Sequence, residues 1–150
     1  MDEQGKGWVI VQLVLFLLIA LAPGAAEPWP LSWLFSVLGL VLLLDGIVVM
    51  LLSLVTLGPN LTPFPRPRPE GQLVTTGIYS LIRHPLYTGV VLASLGLSLF
   101  TNSLLRLLLT VALFLVHDLK ASREEQWLEE RFPEYPNYRQ RVKKFFPGVY

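Results

Sequence analysis

Residues 71–89 read GQLVTTGIYSLIRHPLYTG. This stretch is polar and basic where its surroundings are apolar. Its centre, Arg83-His84-Pro85-Leu86-Tyr87, sets a fixed cation, a titratable ring and a phenol around one proline. Proline is favoured at the first position of a helix, because the N–H it lacks would be unpaired there anyway. Everything from Leu86 onward is apolar, so Pro85 is predicted to open a helix that enters a bilayer. The N-terminus of such a helix carries partial positive charge and free N–H groups, which suit an anionic ligand at the membrane surface.

Apolar runs lie on both sides. Residues 8–22 give about 22 Å of helix and residues 31–57 about 40 Å, at ~1.5 Å per residue. Residues 86–100 and 104–119 form two further runs, separated only by Thr101-Asn102-Ser103. So short a turn makes them antiparallel neighbours. Gly89, Ser94, Gly96 and Ser98 supply small residues for close helix contact. Hydrophobic residues make up 53% of the 150 and charged residues 15%, well below the ~25% of a soluble domain. An all-α integral membrane protein with four transmembrane helices follows. Residues 22–26 imitate a signal-peptide cleavage site, but the acidic start favours a retained first helix.

Between the second and third runs, residues 58–70 are studded with prolines and form a semi-rigid strap. Three units are expected: two N-terminal helices over 1–57, the linker over 58–70, and a core over 71–150. Beyond Leu119 the composition becomes charged. A helix is expected over 120–131, stopped by Pro133 and Pro136, and followed by a basic aromatic tail at the interface. Basic residues concentrate in the linker and tail and are missing from the turn at 23–30. That bias places both termini and the linker in the cytoplasm. Arg106, near the far turn, runs against it and would have to snorkel. Asp45 lies inside the second run, and intramembrane acids are functional candidates. Its plainer reading is a contact with a neighbouring helix.

This topology brings two polar groups to one face: Tyr79, Arg83, His84 and Tyr87, and then His117, Asp118, Lys120, Arg123, Glu124 and Glu125. They offer cations to a carboxylate and carboxylates to an ammonium, as a zwitterion with an amino-acid end requires. A solvated patch against lipid phosphates fits the spacing equally well. Two separated histidines and no cysteine make a thin metal-ligand set. No glycine-rich nucleotide loop is present, and the charge pattern is not that of a nucleic-acid binder.

Residues 73–79 (LVTTGIY), 83–89 (RHPLYTG), 123–128 (REEQWL) and 135–138 (YPNY) resemble the isoprenylcysteine carboxyl methyltransferase family. Membrane phospholipid methyltransferases share the Arg-His-Pro-x-Tyr and Glu-Glu elements. The resemblance covers residues 71–147. It implies a membrane enzyme dependent on S-adenosyl-L-methionine, with cofactor contacts at Gly71, Gln72, Leu73, Val74, Tyr79, His84, Pro85, Leu86, Tyr87 and Glu124, and the charge of Arg83 beside them suits the cofactor's carboxylate. Lys120 stands where that family carries an arginine that meets the substrate, and Lys120 and Glu125 are the catalytic candidates, with His117 beside them. Membrane lipids and a lipophilic or small carboxylate, thiol or amine acceptor are the implied partners. A homodimer is compatible with the small-residue helix faces. Sterol reductases, which take a nicotinamide cofactor, have a similar motif, and a non-enzymatic adaptor is the other alternative.

Overall fold

The computed structural model describes residues 5–25, 29–64, 66 and 69–150. Pro65, Pro67 and Arg68 of the strap, Pro28 of the first turn and the acidic start at Asp2 and Glu3 lie outside the described residues. Helices are α1 (Lys6–Leu21), α2 (Ser32–Leu57), α3 (Pro85–Phe100), α4 (Leu104–Arg131) and α5 (Tyr135–Arg141). Single 3-10 turns occupy Gly58–Asn60 and Gly77–Ser80. Among the described residues there is no β-strand. Among the described residues one helix, Ser32–Asn60 in its full extent, is long and apolar enough to cross a membrane; Lys6–Leu21 and Pro85–Phe100 are shorter apolar helices.

Glycine decides which helices meet. The fully buried positions of α2 are Gly39, Gly46 and Ser53, seven residues apart. Gly39 lies against Gly96 and Gly46 against Gly89, so the two backbones touch along antiparallel axes. A Cβ on Gly46 would sit 2.4 Å from the Ala93 nitrogen and 2.6 Å from the Gly89 oxygen. The small residues of α3 were expected to serve close helix contact, and it is α2 that takes up the glycines. Toward α4, α3 offers Ser98, whose hydroxyl meets that of Thr110 at 3.2 Å.

The turn between α3 and α4 is tight. Asn102 adopts φ 52°, and Ser103 caps α4 by accepting from the Arg106 N–H. Such a side-chain acceptor satisfies one of the donors that a helix start leaves unpaired. Arg106 has a use the sequence did not reveal: its Nε donates to the Ile19 oxygen at 3.0 Å, at the carbonyl end of α1. A cation is stabilised there by the helix dipole as well.

At the other end, α4 runs unbroken from the apolar run through the charged segment. The separate helix expected over 120–131 is its continuation, since nothing in residues 116–124 breaks an α-helix. Pro136 was expected to stop a helix and instead sits in the first turn of α5. The tail also departs from a simple interfacial segment. Residues 82–84 pair with it: the Arg83 N–H donates to the Lys143 oxygen and the His84 N–H to the Lys144 oxygen. Phe145 is buried against Phe114, with ring centroids 5.6 Å apart, while Val149 and Tyr150 remain exposed.

Candidate functional site

Pro85 is the first residue of α3 and His84 its N-cap, as the motif predicts. The tail pairing fixes the backbone of residues 83 and 84 up to that cap. His84 Nε2 lies 3.0 Å from Glu125 Oε1, and its Nδ1 lies 3.9 Å from Glu124 Oε2. Arg83 Nε donates to the same Glu125 oxygen at 2.9 Å. Arg83 Nη1 donates to the carbonyls of Arg139 and Val142. Glu125 and Arg83 therefore bind α3, α4 and the tail into one unit.

Tyr87, one turn into α3, donates its hydroxyl to Glu124 Oε2 at 2.8 Å. Its ring lies parallel between two histidines. His84 is 5.5 Å away at 3° and His117 is 4.8 Å away at 16°, centroid to centroid. His117 is fully buried, and neither ring nitrogen finds a hydrogen-bond partner among the described residues. Tyr79 is held from outside by Tyr138, whose hydroxyl donates to the Tyr79 oxygen at 2.5 Å.

The adjacent carboxylates are driven in opposite directions. Burial raises the Glu124 carboxyl, and His84, Tyr87 and Lys120 only partly offset this. Burial would also raise Glu125, but the hydrogen bonds and charges of His84 and Arg83 outweigh it and hold that carboxyl at about 2. Stabilisation of the charged form by donors and cations is the usual cause of so low a value. Burial, followed by the nearby Glu124 charge, pushes the Tyr79 phenol upward.

Two cavities meet here. The first is lined by the extended segment Gly71, Gln72, Leu73 and Val74, by Tyr79, Arg83, His84 and Glu124, and by the end of α4 and α5. The second holds about 350 Å³ and lies deeper, between α1, the strap and α3, with Leu13, Phe16, Leu86, Tyr87 and Val90 on its walls. Tyr79, Arg83, His84 and Glu124 belong to both. Lys120 opens onto the second only. Its ammonium donates to Gln12 Oε1 at 2.7 Å and the Pro63 oxygen at 3.1 Å, and lies 5.2 Å from the centre of the Tyr87 ring. Glu125 faces away from both, toward a polar crevice with Arg139, Lys143 and Lys144.

Most of the expected residues thus converge, and sequence reasoning missed several others. Asn60 fixes the extended segment by accepting from the Gln72 N–H at 2.8 Å. Arg131 holds the same segment through the carbonyls of Pro69 and Gly71. Leu128, Phe132, Tyr135 and Tyr138 complete the first cavity. The tyrosine pair had a visible signal, three residues apart across a proline. Gln12 had none, lying in a featureless apolar run.

Fold and site together define a helical protein with two chambers, the second more apolar than the first, that share a wall built on an Arg-His-Pro motif. The phospholipid methyltransferase family pattern matches residues 34–135, and the chain belongs to that family. It is 34% identical over 121 residues to a probable protein-S-isoprenylcysteine O-methyltransferase of Oryza sativa, covering 78% of this chain and 63% of that one. Over 83 residues it is 40% identical to the cobalt-zinc-cadmium resistance protein CzcN of Cupriavidus metallidurans, covering 55% of this chain and 38% of that one. The chain thus spans less than two thirds of the length of these relatives. A solved structure of the eukaryotic intramembrane Ras methyltransferase, an isoprenylcysteine carboxyl methyltransferase, superposes with a TM-score of 0.71 at 24% identity. The match covers 96% of this chain and 52% of that one, and it shows a common fold.

Proposed function

We propose that this chain is an integral membrane methyltransferase that binds S-adenosyl-L-methionine in the first cavity and a lipophilic acceptor in the second. The observation that carries this reading is the shared wall of Tyr79, Arg83, His84 and Glu124 between two chambers, the second the more apolar. The donor set fits the cofactor's amino-acid end. Glu124 is a carboxylate raised by burial and suits an ammonium. Arg83 and His84 lie beside it for the carboxylate, with charge-assisted geometry available. Backbone groups of 71–74, held by Asn60 and Arg131, face the remainder. When bound, the cofactor supplies an electrophilic methyl group on sulfur.

This chain's residues then position and exclude. Tyr79 lines both chambers and Tyr87 the second, and the apolar walls keep water out. Such a transfer gains most from alignment of the reacting atoms. Glu125 acts through Arg83 and His84 as a positioning residue, because it is too well satisfied to take a proton. Lys120, a cation in an apolar chamber, favours an acceptor whose reacting end is anionic. α1, α2, α3 and the apolar part of α4 are the four proposed membrane spans, with the site and both termini cytoplasmic. Arg83, Arg139, Lys143 and Lys144 gather at the site end, in keeping with positive-inside bias. The acceptor enters sideways past α1.

Calorimetry in detergent with S-adenosyl-L-methionine and, separately, reduced nicotinamide dinucleotide phosphate tests the cofactor. Transfer of labelled methyl into lipid, peptide and thiol pools tests the acceptor. Binding of the first cofactor and label in a lipophilic pool are expected. Heat from the nicotinamide alone, or from neither, would overturn the reading.

A further inference from the structure

Residues 9–22 carry one polar side chain, Gln12. A polar group inside an apolar membrane helix is costly and is retained where it has a use. Gln12 is half-buried and lines the second chamber together with Lys120. Its Oε1 accepts from the Lys120 ammonium at 2.7 Å. Its Nε2 donates to no group among the described residues.

Lys120 is 2% exposed, yet its direct partners are all neutral. They are Gln12 Oε1, the Pro63 oxygen at 3.1 Å and the face of the Tyr87 ring. No carboxylate lies within ion-pair distance of it among the described residues. Burial lowers the ammonium from its ordinary value, and the more distant Glu124 charge offsets this only in part. A buried charge short of a counter-charge is strongly penalised. An ammonium has three N–H groups, and two of these are taken. Leu13, Phe16, Leu86 and Val90 wall the same chamber of about 350 Å³.

We propose that Gln12 decides which end group the second chamber accepts. Lys120 supplies the charge for one anionic group at the end of an apolar chain. Gln12 keeps the ammonium in place through Oε1 and donates to the same anion through Nε2. This deepens the acceptor reading above and rests on it. An amine end would face a like charge and a second donor. A hydroxyl end would gain the hydrogen bonds without the charge.

Hexadecanesulfonate, which stays ionised, hexadecanol and hexadecylamine share one chain and differ at the end group. Equilibrium binding of each, radiolabelled, to the full chain in detergent should rank them in that order. Subtracting the binding to Leu13→Trp, which narrows the chamber, removes partition into the micelle. Gln12→Leu should cut the ratio of sulfonate to alcohol affinity about tenfold, the value of a hydrogen bond to a charged group. Gln12→Glu, equal in size but acidic, should place the amine first. Circular dichroism checks that each variant is helical. A Gln12 with a structural role alone would leave the ratio unmoved in Gln12→Leu, and that result overturns the proposal. So does a sulfonate that still ranks first in Gln12→Glu. If Lys120→Met removes the sulfonate preference in either case, the acceptor reading survives the failure. An unaltered chain that binds the alcohol or the amine best overturns both.

Discussion

Glu124 and Glu125 are neighbours in the chain, yet they project from α4 into different surroundings. Glu125 meets Arg83 and His84; Glu124 meets a phenol and a cavity. Because the folded value of Glu125 lies at about 2, below its ordinary 4.5, its contribution to stability is present above about 4.5 and is lost as pH falls toward 2. Glu125→Gln leaves Arg83 buried without its counter-charge, which costs about 3–5 kcal/mol. Thermal unfolding should show that loss, and hydrogen exchange should quicken at the Arg83 and His84 N–H groups. Glu124 is raised, so its charged form is penalised until an ammonium arrives. Affinity for S-adenosyl-L-methionine should therefore rise with pH through the raised value and level off above it. Glu124→Gln should flatten that profile and weaken binding by about 1.5–3 kcal/mol. An unchanged calorimetric affinity would remove Glu124 from the site.

At the scale of elements, the α2–α3 contact is backbone on backbone. Gly46→Ala forces the helices apart, because the new methyl meets atoms that cannot rotate away. A loss of about 1–3 kcal/mol is expected from overpacking, read as a lower midpoint of thermal unfolding in detergent. Gly7→Ala is the control. Among the described residues nothing lies within 4 Å of a Cβ there, and alanine is the better helix former. Its midpoint should hold or rise. The four apolar runs, the turn at 101–103 and the helix start at Pro85 were legible because each rests on local pattern. Which faces meet was not, since every face of a membrane helix is apolar and periodicity carries little information. The glycine spacing of seven on α2 was readable in hindsight only once α3 supplied its match.

On the scale of the whole molecule, α1 touches the second chamber and not the first. The two proposed ligands should be separable accordingly. Leu13→Trp narrows the second cavity from the α1 side. It should raise the KM for a lipophilic acceptor while leaving donor affinity unchanged in calorimetry. A parallel loss of both would mean that the chambers are not distinct binding sites.

The sequence by itself determined the apolar runs, the helix start at Pro85 and the Arg-His-Pro and Glu-Glu residues, because these depend on composition and on bonds within a turn or two. Only the tertiary structure decided that Glu125 locks Arg83 and His84, that the tail folds back beside the motif, that Asn60 lines the first chamber and Gln12 the second, and that Asp45 is left facing outward. Those outcomes depend on which helix flank meets which across large sequence separations, and packing of backbone against backbone selects that.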